Sequence, residues 1–332
     1  MHMDSTKHKK SVLPAVGLFF LAPLVAEFLL GNLPIKMLPA LIVLAPMYGG
    51  GALLIRELVR RTGRGWPSII LLALTYGIVE EAFTTQSLFN PNYLLLNMHL
   101  LQPAYIPALR MGAWWTIFVL SLHTAWSIST PIALIEATVP DRADEPWLGR
   151  IGLGVIALLF ALGVAATTLI SYKHDHFVAP AGQFAGAAVV CVALAAAAFS
   201  LQPPAAPRSE RTIPSPWIAG AFALAAASAV LLVNPRWGWW AAAAILAVEA
   251  ALAACVLAWS RGTGWTLRHK LALAGGAALA YAWHAFIQHP MGGTTLAARI
   301  GNGVFAAGAV ALIAFAVSRT RSRTPAPSLM PQ

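Results

Sequence analysis

Long apolar stretches alternate along this chain with short segments rich in glycine, proline and charge. Ten apolar stretches can be read, at 12–31, 37–59, 66–88, 112–138, 151–172, 181–201, 214–233, 237–259, 267–288 and 297–317. Between them lie GNLPIK, RRTGRG, VPDRADEP, QPPAAPRSERTIPSP, NPRWG, SRGTG and HPMGG, the residue types that break helices and form turns. A stretch of roughly 20 apolar residues is long enough to cross the hydrocarbon core as a helix. In lipid the backbone must satisfy its own polar groups, so an open chain crosses as α-helix. The pattern predicts an all-α polytopic integral membrane protein of about ten transmembrane helices. The first stretch follows Lys7, Lys9 and Lys10 and stays apolar from Val12 to Gly31. That exceeds the apolar core of a signal peptide, and no small-x-small cleavage site follows, so it is expected to remain as the first span.

Basic residues set the expected orientation. With ten spans and a cytoplasmic N-terminus, the cytoplasmic segments and span ends hold 17 of the 22 lysines and arginines. The other side holds the remaining 5: Lys36, Arg110, Lys173, Arg236 and Arg299. The positive-inside rule therefore places both termini in the cytoplasm. The expected location is the cell membrane, as a multi-pass protein.

Composition agrees: 58% of residues are hydrophobic, 10% are charged and the mean hydropathy is +0.70. So few charges could not cover a water-soluble surface of this size. The net charge of +10 comes from short clusters between apolar runs, not from a basic face interleaved with aromatics. No nucleic-acid partner is expected. Cys191 and Cys255 sit in mid-run without metal or redox spacing and read as small buried hydrophobes.

Three regions follow. Residues 1–138 form an N-terminal membrane region with most of the intramembrane polar groups. Residues 139–317 form a C-terminal membrane region of about six helices, and 318–332 a disordered cytoplasmic tail rich in Pro, Ser and Arg. No internal repeat suggests the inverted plan of many transporters. Segment 89–111, FNPNYLLLNMHLLQPAYIPALRM, is too apolar for a solvated loop and too broken by proline to span. It is expected to lie in the outer interface or to re-enter as a lid.

Adjacent Glu80 and Glu81 stand inside the third span, WPSIILLALTYGIVEEAFTTQSLF. A carboxylate at the bilayer centre costs about 2.5–3.5 kcal/mol on insertion scales, so two neighbours do not both ionise cheaply. One protonated and one ionised carboxyl make a general acid beside a general base. In the fourth span His123, Trp126, Ser127 and Thr130 share a face, and Pro131 predicts a kink because it cannot donate to the Ser127 carbonyl. On a 1.5 Å rise per residue, Glu80 and Glu81 lie about seven or eight residues, and His123 about eleven, from the outer ends of their spans, at similar depth. Tyr281, His284 and Gln288 share a face at the outer end of the ninth span, and Glu27 lies near the outer end of the first. Glu249 stands alone in the eighth. Tyr48-Gly49-Gly50-Gly51 after Pro46 permits close helix approach or a local break, with packing the default reading. His174-Asp175-His176 reads as a solvated loop.

A paired glutamate in one membrane helix, a histidine in the next and a later histidine resemble the CAAX-protease and bacteriocin-processing (Abi) family of intramembrane glutamic proteases. That family carries EExxxR, FxxxH and HxxxN or HxxxD. Here Glu80-Glu81 supplies the acids, with Thr85 in place of the arginine. Phe118 precedes His123 by five positions, and His284 with Gln288 gives HxxxQ. The resemblance covers about 66–138. It implies that Glu80, Glu81 and His123 activate water and that His284 and Gln288 stabilise an oxyanion. The chemistry is also similar to that of integral-membrane terpene cyclases, which start carbocation cascades with a protonated carboxylic acid.

The sequence thus predicts an acid–base enzyme with Glu80, Glu81, His123 and His284 as catalytic residues. Glu27, Trp126, Ser127, Tyr281 and Gln288 are expected to line the substrate site. The expected partners are the bilayer and a membrane-bound peptide, isoprenoid or lipid substrate. No motif calls for a cofactor or metal. A terpene cyclase, a proton-coupled transporter and a structural or signalling membrane protein remain open as alternatives.

Overall fold

In a computed structural model, which describes residues 11–202 and 212–321, ten helical rods run in chain order. They are α1 (Leu13–Leu29), α2 (Ile35–Arg61), α3 (Trp66–Thr84), α4 (Ala113–Thr138), α5 (Arg150–Asp175), α6 (Ala181–Ser200), α7 (Pro216–Leu232), α8 (Trp239–Ser260), α9 (Leu267–His284) and α10 (Leu296–Arg321). Each coincides with one apolar stretch read from the sequence. Seven are long and apolar enough to cross a bilayer by length and composition, and α1 and α7 are shorter apolar helices. Prolines open several helical turns, as Pro67 and Pro216 do, because the first turn has no use for the missing N–H.

Both ends of the described chain lie at one end of the bundle. The Ser11 carbonyl accepts from Arg142, the Thr138 carbonyl from Arg319, and the Thr320 carbonyl from Arg268. Lys7, Lys9, Lys10, Arg208, Arg211 and Arg323, counted in the expected orientation, lie outside the described residues. The tail expected from residue 318 begins later, because α10 stays helical to Arg321; residues 322–332 lie outside the described residues.

Rod α4 is the hub and packs against α1, α3, α8, α9 and α10. Its partners approach closely where side chains are small. A methyl on Gly49 would lie 1.9 Å from the Phe19 carbonyl oxygen, and one on Gly276 2.3 Å from the Gly220 carbonyl oxygen. The packing expected of the glycine triplet is therefore met: Gly49 seats α1, Gly50 faces Phe160 of α5, and Gly51 faces Tyr76 of α3. Much of α5 and α6 is exposed and apolar, the surface of rods facing lipid.

Segment 89–111 neither spans nor forms a regular helix. It carries one short 3₁₀ turn, Tyr93–Leu95, and leads into a two-residue hairpin, β1 (Tyr105–Ile106) with β2 (Met111–Gly112). The segment is tied to the bundle end opposite the termini. Asp175 accepts from the Asn90 side chain at 2.8 Å and from the Leu94 backbone at 3.1 Å, and Gln183 donates to the Leu109 carbonyl. His174 and Asp175, expected in a solvated loop, are the last residues of α5, and Asp175 anchors this cap.

Candidate functional site

Four rods each contain one π turn, and α2 in addition opens as a 3₁₀ helix over Ile35–Ala40. The π turns are Leu24–Leu29 in α1, Ala45–Gly49 in α2, Val79–Thr84 in α3 and His123–Ser129 in α4. In a π turn each N–H reaches back five residues; such turns are rare and concentrate at functional sites. Each of the four carries one or more polar side chains of a single cluster: Glu27, Tyr48, Glu80 with Glu81, and His123 with Ser127. Three of the four adjoin or contain a proline, Pro23, Pro46 or Pro131. A proline removes one ladder N–H and crowds the carbonyl four residues back, which favours local rewinding. Where a kink was expected at Pro131, the π turn His123–Ser129 ends two residues before the proline. Thr84 and Thr85 donate their hydroxyls to the Val79 and Glu80 carbonyls, bracing the turn in α3.

The imidazole of His123 lies between the paired glutamates. Its Nε2 is 2.7 Å from Glu81 Oε1, and its Nδ1 is 3.1 Å from Glu80 Oε2 and 3.0 Å from Ser127 Oγ. The three residues are 3%, 5% and 6% exposed for Glu80, Glu81 and His123, so these contacts are shielded from water. Glu81 is further held by the Thr85 hydroxyl at 3.0 Å and by the Ser87 hydroxyl, which in turn accepts from Trp115 Nε1. Glu80 is less engaged. Its Oε2, close to Nδ1, has no aligned hydrogen-bond donor among the described residues. The Tyr76 hydroxyl, one helical turn earlier, faces Glu80 and likewise lacks an aligned partner.

A third acid joins through a tyrosine. The Tyr48 hydroxyl donates to Glu27 Oε1 at 2.7 Å and also lies beside Glu80. Asn32 donates to Glu27 Oε2 at 2.7 Å. Chain contacts therefore run from Asn32 through Glu27, Tyr48, Glu80 and His123 to Glu81 and Ser87. Over this cluster sits Tyr93 of the cap. Burial, followed by the nearby charge of Glu81, holds its phenol well above the ordinary tyrosine range.

The remaining expected site residues fall into two groups. Trp126, in the π turn of α4, stacks flat on Tyr281 of α9, with ring centroids 4.3 Å apart and planes 2° apart. Its Nε1 donates to the Ala277 carbonyl, so the pair joins α9 to the site wall. His284 and Gln288 make no hydrogen bond to the acids or to His123 among the described residues. The regular helix stops at His284, and Gln288 lies in the turn beyond it, its backbone N–H donating to the His284 carbonyl at 3.0 Å. His284 Nδ1 has no partner, and its ring packs edge-on to Trp283. Glu249 faces Ser121, Cys191 approaches the Thr75 carbonyl, and neither belongs to the cluster.

The third span also ends earlier than its apolar pattern suggests. The chain leaves α3 after Thr84 and turns at Gln86, at φ 56°, where the side chain accepts from the Ala179 backbone. Glu80 and Glu81 therefore stand in the last turn of their rod.

Hydropathy alone misses Tyr48, Tyr76, Ser87 and Asn32 as members of the site. Tyr76 carries a readable signal, because it precedes Glu80 by four residues and so shares its helical face. Hydropathy also misses a second polar layer near the termini. Arg56, Glu57, Arg60 and Glu136 are buried and joined: Glu136 accepts from Arg60 at 2.7 and 2.9 Å and lies 3.1 Å from Arg56. Glu57 accepts from the Trp147 backbone at 2.7 Å, while the Arg56 guanidinium lies 3.2 Å from the Trp147 ring centroid. These groups bind the 139–149 connection to α2. Between this layer and His123 lie Leu18, Leu53, Ile128 and Ile132, all apolar and buried.

A family model matches residues 17–322, and the chain belongs to the family it describes, an uncharacterized membrane protein family. No curated protein and no solved structure matches the chain.

Proposed function

We propose that this membrane protein is an acid–base enzyme of the cell membrane, hydrolysing a membrane-bound or lipid-soluble substrate at Glu80, Glu81 and His123, on the outer side. One observation carries the reading: a single buried imidazole is held between two carboxyls supplied by adjacent residues. Glu81 is fully engaged and orients His123. Glu80 is held more loosely, its Oε2 3.1 Å from Nδ1 without an aligned hydrogen bond, and is the group left to meet water.

In the proposed reaction Glu80 takes a proton from water as the hydroxyl oxygen adds to the scissile carbonyl. The proton then passes by way of His123 to the leaving group as the tetrahedral intermediate collapses. The unpartnered Tyr76 hydroxyl is the donor best placed beside Glu80 to serve the developing oxyanion. His284 and Gln288, given that role by the resemblance to the Abi proteases, lie outside the hydrogen-bonded cluster. The resemblance therefore supports the reading only through Glu80, Glu81 and His123.

Two features favour an enzyme over a proton-coupled carrier. The polar cluster is confined to one end of the bundle, and apolar side chains separate it from the Arg56–Glu136 layer. A terpene cyclase would need open aromatic faces for a cation, whereas Trp126 and Tyr281 cover each other.

The test is incubation of the protein in lipid vesicles with membrane peptides and lipids in heavy-oxygen water. Hydrolysis marks its products with the label whatever the substrate. Labelled products are expected with the unaltered protein and at least ~100-fold fewer with His123→Ala. Equal labelling by both would refute the proposal.

A further inference from the structure

We infer that Glu80, Glu81 and His123 form a binding site for one divalent transition-metal cation of the zinc class. The inference deepens the proposed acid–base site and rests on the same three residues. Each offers one ligand atom, and these atoms all lie within 4.8 Å of one another. Two ligands bound about 2.1 Å from a tetrahedral zinc ion stand about 3.4 Å apart, so the most distant donors need to close by at most about 1.4 Å. Two carboxylate oxygens and one imidazole nitrogen form a donor set that suits zinc, manganese or iron. Three protein ligands with room for water are the pattern of catalytic rather than structural sites.

Charge points the same way. Glu27, Glu80 and Glu81 are linked through Tyr48 and His123, and no lysine or arginine bonds any of them among the described residues. Three carboxyls share one imidazole, and a divalent cation would offset the excess of acid. Two polar atoms here are buried without an aligned hydrogen bond: Glu80 Oε2, which has His123 Nδ1 beside it at 3.1 Å, and the Tyr76 hydroxyl, which faces Glu80. A cation at Glu80 would use the first directly. The second would then hydrogen-bond a metal-bound water or the ligating carboxylate, the outer-shell support that metal ligands commonly have. Rod approach is permissive as well: Gly77 lets α3 reach the His123 side chain, where a methyl would come within 3.1 Å of His123 Cβ.

Cobalt(II) is the probe, since its visible absorption reports coordination by protein ligands. The purified detergent-solubilised protein is stripped with a chelator, titrated with cobalt(II) and then with zinc. One equivalent of cobalt is expected, with absorption bands that zinc abolishes and a higher melting temperature for the loaded protein. His123→Ala and Glu81→Gln should lower cobalt affinity at least ~10-fold, and His284→Ala should not. Absence of the bands in folded, unaltered protein would overturn the site, as would unchanged binding in both His123→Ala and Glu81→Gln. The unaltered protein decides the matter even if a variant fails to fold. Labelled hydrolysis that persists undiminished in the stripped protein would sink the cation and leave the acid–base reading. Cobalt binding without hydrolysis would do the reverse.

Discussion

Glu80 and Glu81 are neighbours in the chain, yet they address opposite nitrogens of one imidazole, Nδ1 at 3.1 Å and Nε2 at 2.7 Å. Adjacent residues on a regular α-helix point in clearly different directions. Here the π turn Val79–Thr84 rewinds α3, and a matching π turn begins in α4 at His123 itself. The relationship depends on backbone winding as much as on residue type, and the consequences below follow from it and from the layers around it.

Tyr48 couples Glu27 to the pair. Its hydroxyl is buried and donates at 2.7 Å, so Tyr48→Phe leaves Glu27 Oε1 without its donor. The expected cost is about 1–3 kcal/mol of stability. Thermal unfolding in detergent measures it, and Tyr105→Phe, on the exposed hairpin, should leave the midpoint unchanged.

Gly49→Ala tests the crossing that brings Tyr48 into the site. The added methyl would meet the Phe19 carbonyl oxygen at 1.9 Å, and backbone cannot swing aside as a flexible side chain can. That carbonyl also lies four residues before Pro23, which has no N–H to donate to it. A loss of about 1–3 kcal/mol or more is expected from overpacking. Gly154→Ala, where a methyl meets nothing within 4 Å, is the control and should be neutral in a thermal melt.

The Arg56–Glu136 layer should behave as structure rather than chemistry. Glu136→Ala takes one carboxylate from each of two buried guanidiniums, leaving Arg56 with Glu57 and Arg60 with Asp144, and should cost about 1–3 kcal/mol. Arg61→Ala, which removes a part-exposed partner of Glu57, should cost under about 1 kcal/mol. Paired unfolding curves decide. A Glu136→Ala midpoint equal to that of the unaltered protein would remove the layer from the account of stability.

Orientation follows from the basic residues. Reporter fusions after Pro103 should score as extracytoplasmic and fusions after Arg321 as cytoplasmic. A cytoplasmic signal after Pro103 would place the Glu80–His123 cluster on the opposite side.

Much of the architecture was legible in hydropathy, because lipid demands long apolar helices and charge is confined to their ends. Hence each rod matches an apolar stretch, and the pairing of Glu80 and Glu81 with His123 could be anticipated from depth and helical face. What could not be read was winding. A π turn changes which side chains share a face, and its sequence trace, a proline beside a polar residue, also fits an ordinary kink. Tyr48 therefore looked like a neighbour of glycines, and Arg56 and Arg60 looked like topology signals although both are buried among acids. His284 and Gln288 had helical spacing, but the regular helix of α9 ends at His284, ahead of Pro290.

The most direct measurement is heavy-oxygen incorporation by Glu80→Gln and Glu81→Gln, each reconstituted in vesicles beside the unaltered protein. Glutamine keeps the shape and much of the hydrogen bonding of glutamate, and a neutral amide is easier to bury than a carboxylate. Both variants should therefore melt near the unaltered protein. If the two carboxyls work as acid and base on His123, both should lose labelled products. Full labelling by both variants would contradict the account.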